Sequence, residues 1–188
     1  MSLHFECVLH CDLKPDTPQQ VIDTLRYMTG SFDEFDDPPK APFFQFDGWA
    51  RPPRPDGWLD GRAWRTIFRG HDYSTPSDSG PIPYCPYFAG RPTVFFGQTW
   101  KNGVGQDLHF RHTLSVSIGM LDDGFYDTWP FLLSWLARHS ETQGYVGYTR
   151  EEMDLHPTLT YFREGHVYEH RVSADRTLMH TPVIGAGE

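Results

Sequence analysis

The chain has 188 residues, a net charge of −9 at pH 7, and basic residues scattered along its length. This pattern argues against nucleic-acid binding and against an anionic membrane surface, because both need clustered Lys and Arg. The length suits one domain spanning residues 1–188, and an aromatic content of 15% predicts a core built from rings.

The N-terminal segment alternates apolar and polar side chains from Leu3 to Leu13. A period of two predicts a strand with one buried face and one polar face. Thr17 and Gln20 then form a capping-box pattern, followed by apolar residues at helical spacing. We therefore expect a helix from about Thr17 to Thr29.

Two proline-rich segments follow, at residues 31–60 and 71–92. Proline disfavours both helices and central strands, so each segment is expected to be a loop. The first loop carries many rings, so we expect it to be ordered rather than a flexible linker. It would either cover the polar face of the sheet or wrap an edge strand, and the sequence leaves both possibilities open.

The rest of the chain predicts more strands and one more helix. A second helix is expected to begin near Thr128, with Pro130 in its first turn, and the tail at 173–188 shows little pattern. Alternation or β-rich composition indicates strands at residues 63–69, 93–100, 107–120, 145–149, 156–163 and 166–172.

The last two predicted strands form a hairpin about a turn at Glu164-Gly165. The predicted register pairs Thr160 with Glu169, and Thr158 with Arg171. The side chains that alternate with these four are Leu159, Tyr161, Tyr168 and His170. If those alternating side chains face the core, the four paired side chains join the polar face.

This order of elements predicts an α+β fold, with a mainly antiparallel sheet and two helices packed on one face. The arrangement is compatible with a ferredoxin-like sheet or with a duplicated β-α-β-β unit. Topology of this kind does not determine function.

Polar side chains on two of the strands suggest a ligand site. If the helices cover the apolar face, Glu6 and His10 lie on the opposite face, beside His109 and Arg111 of the long strand. A carboxylate, a guanidinium and two imidazoles on neighbouring strands could bind a small polar or anionic ligand. The sequence favours the simpler alternative, a solvated sheet face stabilised by charge pairs.

Other chemistry has little support. No nucleotide-binding or zinc-protease motif is present, so no cofactor is predicted. His109 and His112 would face opposite sides of a strand, so no metal site is predicted there. Cys7 and Cys11 would lie about 13 Å apart along a strand, too far for a disulfide. Cys85 lies in a rigid loop, and most lone cysteines are unreactive.

Two function classes remain. The first is a non-enzymatic interaction or regulatory protein, whose acidic surface would suit a basic protein partner. The alternative is a small-molecule-binding protein or an enzyme, with its site on the polar sheet face. No segment has the length or profile of a membrane span or a signal peptide, and reduced thiols indicate a cytoplasmic location.

Overall fold

A computed structural model describes residues 3–30, 93–101, 109–172 and 178–182, together with Pro39, Ile67 and Phe68. Six strands form an antiparallel sheet in the order β2-β3-β1-β4-β5-β6, and β7 pairs with β6. The predicted α+β class is confirmed. The elements are β1 (His4–Asp12), α1 (Gln19–Met28), β2 (Thr93–Lys101), β3 (His109–Leu121), α2 (Asp122–His139), β4 (Gly144–Glu151), β5 (Thr158–Arg163), β6 (His166–Val172) and β7 (Leu178–Pro182).

Strand β1 alternates as predicted. Its odd-numbered side chains are buried, and its even-numbered side chains are partly or largely exposed. Cys7 lies opposite Ile118, and Leu9 lies opposite Val116. The odd positions of β1 and the even positions of β3 therefore share one face, called here the helix face, and the opposite side is the polar face. Both thiols in β1 are free, as predicted.

Both helices pack on the helix face. Most of their buried apolar side chains belong to one cluster, together with the odd positions of β1 and the even positions of β3 from Leu114 to Met120. Leu25 is fully buried in α1, and Leu132 and Leu136 are fully buried in α2. None of the helices among the described residues has the length and apolar character needed to cross a membrane.

The predicted capping box of α1 does not form. The helix begins at Gln19, with Pro18 at the N-cap position and no side-chain cap. Thr17 Oγ1 instead donates a hydrogen bond to the Lys14 carbonyl oxygen at 2.8 Å. Short hydroxyl side chains compete for local backbone partners, and this one closes the turn that precedes the helix.

The predicted start of α2 near Thr128 is wrong. The helix begins at Asp122, which places Pro130 in its interior. Proline cannot donate the backbone hydrogen bond at that position, which weakens the helix locally. The added N-terminal turns bring Phe125 onto Phe5, with ring centroids 4.0 Å apart, and this stacking favours the longer helix.

The C-terminal hairpin has the predicted register but the opposite faces. Thr160 lies opposite Glu169, and Phe162 lies opposite Val167. Phe162 and Val167 join the buried cluster, so their side of the hairpin is the helix face. Side chains two apart on a strand share a face, so the pairs Thr160–Glu169 and Thr158–Arg171 also lie on the helix face. Burying the apolar pair costs less than burying tyrosine hydroxyls and an imidazole without partners. The polar face therefore receives Leu159, Tyr161, Tyr168 and His170.

Some predicted segments lie largely outside the described residues, including both proline-rich loops. In the predicted strand at 63–69, the described residues Ile67 and Phe68 adopt a 3₁₀ conformation and are buried. In the predicted patternless tail, residues 178–182 form β7. Long-range pairing with β6 supplies its hydrogen bonds, which local pattern does not reveal.

Candidate functional site

The predicted site residues lie on neighbouring strands but are spread along them. Glu6 lies opposite Gly119 and His10 opposite Ser115, so the two share the polar face with β3. Arg111 is eight residues from Gly119, which is about 26 Å along a strand. The register therefore does not bring Glu6 and Arg111 together.

Both charged members of the predicted site have a partner. Glu6 Oε2 lies 2.9 Å from an Arg150 guanidinium nitrogen on β4, without hydrogen-bond alignment. Arg111 Nε donates to Glu141 Oε2 at 2.5 Å, and this hydrogen bond raises the pKa of Arg111. His10 is exposed on the polar face.

The His109 side chain lies outside the described residues, although its backbone pairs with Lys101 at the start of β3. A ligand-binding role for these four residues stays a prediction. The two ion pairs are the kind of stabilisation that the sequence favoured over a ligand.

A second group of polar side chains on this face also satisfies itself. Thr113 Oγ1 donates to Asp12 Oδ1 at 2.6 Å, across β3 and β1. Thr99 Oγ1 lies 2.6 Å from Thr113 Oγ1. A hydroxyl has a single proton, so Thr99 must donate to Thr113. This chain joins three strands and uses the hydrogen-bonding capacity that a ligand would need.

A β-bulge in β4 determines which side chains reach the other half of the polar face. The register between β4 and β5 shifts between Tyr145 and Gly147, while Val146 is buried. Tyr145 therefore lies opposite Tyr161 on the polar face. Bulges of this kind re-aim side chains next to functional sites in many sheets.

Close packing against β1 explains why glycine occupies the bulge. A Cβ atom at Gly147 would lie 2.7 Å from the Val8 carbonyl carbon and 2.9 Å from Leu9 Cα. Both contacts are with backbone, which cannot rotate away as a side chain can. Gly147 thus lets β4 approach β1 while keeping the bulge.

Strands β5 and β6 carry a cavity of about 780 Å³. Tyr161 and Tyr168 are directly opposite each other across the two strands. The Tyr161 ring lies 4.6 Å from the His170 imidazole and is tilted from it by 41°. The volume falls in the range typical of small-molecule sites. We call this site the tyrosine–histidine cavity; it is lined by Gln143, Gly144, Tyr161, Phe162, Arg163, Glu164, Tyr168 and His170.

The turn between β5 and β6 forms one end of the cavity. The Glu164 backbone N–H donates to Gln143 Oε1 at 2.8 Å, which ties this turn to the start of β4. Arg163 Nε lies 3.9 Å from Glu164 Oε1, and both side chains are largely exposed. An exposed pair of this kind adds little stability, so both charged groups stay available at the rim.

Sequence reasoning missed the residues of the tyrosine–histidine cavity, although one signal was present. Because the predicted hairpin register is correct, it already shows which side chains of β5 and β6 share each face of the hairpin. Phe162 and Val167 form the apolar pair, whereas Tyr161, Tyr168 and His170 alternate with them. Assigning the most apolar pair to the core would have placed the three polar rings together on the polar face.

Among the residues that the structure describes, no three His, Cys, Asp or Glu side chains are grouped closely enough to hold a metal ion. No family model, curated protein or solved structure matches the chain.

Proposed function

We propose that this protein binds a small molecule in the tyrosine–histidine cavity. The observation that carries the proposal is a concave site of about 780 Å³ that combines ring faces with polar groups. Such sites are usually lined by aromatic side chains, with a few polar groups that fix the orientation of the ligand. The proposal keeps the predicted ligand site on the polar face but places it on β5 and β6.

The chemistry of the lining favours binding over covalent catalysis. Tyr161 and Tyr168 each offer an apolar ring with a hydroxyl at its edge, which suits partly polar ligands. No Ser, Thr, Cys or Lys side chain is among the described lining residues, so a covalent step would need the Glu164 carboxylate, His170 or a tyrosine as its nucleophile. Histidine is the side chain most often used for proton transfer in catalysis, so the presence of His170 leaves acid–base chemistry open to this site.

We also infer a ferredoxin-like arrangement for the first four strands and the two helices. The support is the strand order β2-β3-β1-β4, in which every neighbouring pair is antiparallel and each helix connects two strands separated by one other strand. Strands β5 to β7 extend this unit at the β4 edge. The tyrosine–histidine cavity lies in the extension, so the shared topology gives no information on its ligand.

A thermal-shift screen of metabolites tests the proposed binding. A ligand at 100 times its dissociation constant stabilises the folded state by about 2.7 kcal/mol, which raises Tm measurably. We expect at least one compound to raise Tm of the wild type and of Phe95→Ala, but not of Tyr161→Ala. Phe95 is a matched control because its ring is 48% exposed and lies on the polar face, opposite Ser115.

Two outcomes would contradict the proposal. The first is a screen in which no compound raises Tm of the wild type. The second is a compound that raises Tm of Tyr161→Ala as much as that of the wild type, because its site would then lie elsewhere.

A second candidate function is that of an interaction protein in the cytoplasm, with a basic protein partner. The supporting observation is a pair of exposed rings, Trp100 at 57% and Phe110 at 48%, with centroids 3.5 Å apart. Tryptophan is enriched among residues that dominate binding energy, and the net charge of −9 favours a basic partner. A basic partner that binds the wild type and not Trp100→Ala would support this function, whereas equal binding to both would contradict it.

A further inference from the structure

We infer that the ligand of the tyrosine–histidine cavity is an uncharged saccharide. This inference rests on the proposed function and adds the chemical class of the ligand. It is carried by three properties of the lining: balanced charge, inclined rings, and a mixture of hydrogen-bond donors and acceptors.

The charges around the cavity favour a neutral ligand. The lining contains one guanidinium and one carboxylate, from Arg163 and Glu164, whose charged atoms are 3.9 Å apart. An anion attracted by Arg163 would be repelled by the adjacent Glu164. A cation attracted by Glu164 would likewise be repelled by Arg163. At so short a separation the two effects nearly cancel, and solvent weakens both further. A ligand therefore gains little by carrying a net charge.

The ring geometry favours a puckered ligand over a planar one. Tyr161 and the His170 imidazole are inclined by 41°, with centroids 4.6 Å apart. Because these two rings are in contact, a ligand lies against them rather than between them, and a planar heterocycle cannot stack on both inclined ring planes at once. Aromatic faces carry negative charge density and attract the polarised C–H bonds of a saturated ring. A sugar ring presents such C–H groups on a face while keeping its hydroxyls at the edge.

The hydrogen-bonding groups match hydroxyls rather than pure donors or pure acceptors. Each sugar hydroxyl both donates and accepts, so its site needs groups of both kinds. Gln143 Oε1 is engaged by the Glu164 backbone N–H, which leaves its amide nitrogen to donate. The Glu164 carboxylate accepts, the Arg163 guanidinium donates, and the phenols can do either.

Calorimetric titration with defined probes tests this inference. The saccharide probes are maltose, cellobiose and diacetylchitobiose, and the comparison probes are adenosine, citrate and choline. We expect at least one disaccharide to bind the wild type and Phe95→Ala equally, and to bind Tyr161→Ala about tenfold more weakly. Arg163→Ala should weaken binding several-fold; this side chain is 74% exposed, so its removal should not disturb folding. Circular dichroism confirms that each variant is folded.

The outcomes distinguish the ligand class from the site. Binding of adenosine, citrate or choline that depends on Tyr161, without disaccharide binding, would overturn the saccharide assignment and leave the cavity as a site. Disaccharide binding that is unaffected by both Tyr161→Ala and Arg163→Ala would also overturn it. If none of the six probes binds, the saccharide assignment is wrong, and the metabolite screen alone decides whether the cavity binds another compound.

Discussion

Replacement of Gly147 by alanine tests how the bulge in β4 builds the polar face. Glycine at this position lets β4 lie against β1 without a side chain between them. The added methyl group would lie 2.7 Å from the Val8 carbonyl carbon and 2.9 Å from Leu9 Cα. Since both neighbours are main-chain atoms of a central strand, either β4 or β1 must shift.

The size of the effect follows from two terms. Overpacking a well-packed region costs about 1–3 kcal/mol, and the absence of a movable side chain at Gly147 places this site at the upper end. The unfavourable backbone conformation, with φ of 158°, adds to that cost in alanine. Together these terms predict a loss of about 3–5 kcal/mol, a large part of a typical domain stability of about 5–15 kcal/mol.

Gly144→Ala is the matched control for this experiment. Gly144 has φ of 100°, and a Cβ atom there would meet nothing within 4 Å, so only backbone strain is added. Its expected cost is about 1–3 kcal/mol. Urea denaturation followed by tryptophan fluorescence measures both variants. If Gly147→Ala loses no more stability than Gly144→Ala, the close approach of β4 to β1 is wrong.

Three more predictions follow from buried groups. Leu25→Ala should lower the free energy of unfolding by about 2–5 kcal/mol, measured by urea denaturation, because it leaves a cavity under α1. A loss below about 0.5 kcal/mol would mean that the helix faces solvent. Burial raises the pKa of Cys7 and raises that of Cys11 to about 12. Iodoacetamide at mildly alkaline pH should therefore label these thiols only after the protein unfolds, and rapid labelling of the native protein would contradict their burial. Burial also raises the pKa of Glu169, so its ionisation destabilises the fold as pH rises through the unfolded-state value of about 4.3. Glu169→Gln should therefore be more stable than the wild type at neutral pH, with the difference disappearing below that pH, and a difference independent of pH would refute this origin.

Local pattern was sufficient for the faces of β1 and for the register of the last hairpin, but not for which face of that hairpin is buried. The alternation of β1 predicted which of its side chains enter the core, and the register of the last hairpin followed from its two-residue turn. Local signals failed at α2, where Pro130 suggested a first turn. The stacking of Phe125 on Phe5 joins residues far apart in sequence, so no local signal could reveal it.

The candidate site could be predicted only in part. The sequence indicated a polar sheet face, but the arrangement on it depends on pairing between distant strands. Glu6 meets Arg150 because β4 lies beside β1, and Arg111 meets Glu141 after α2. The bulge at Gly147 depends on contact with β1 and leaves no period in the sequence.

Nuclear magnetic resonance of the protein with ¹³C-labelled tyrosine rings tests most directly whether the tyrosine–histidine cavity binds a ligand. The probe is the compound that raises Tm most in the metabolite screen. We predict that the ring signals of Tyr161 and Tyr168 move on titration, while that of Tyr126, which is 53% exposed on α2, does not. Movement of the Tyr126 signal with unchanged Tyr161 and Tyr168 signals would contradict the proposed site.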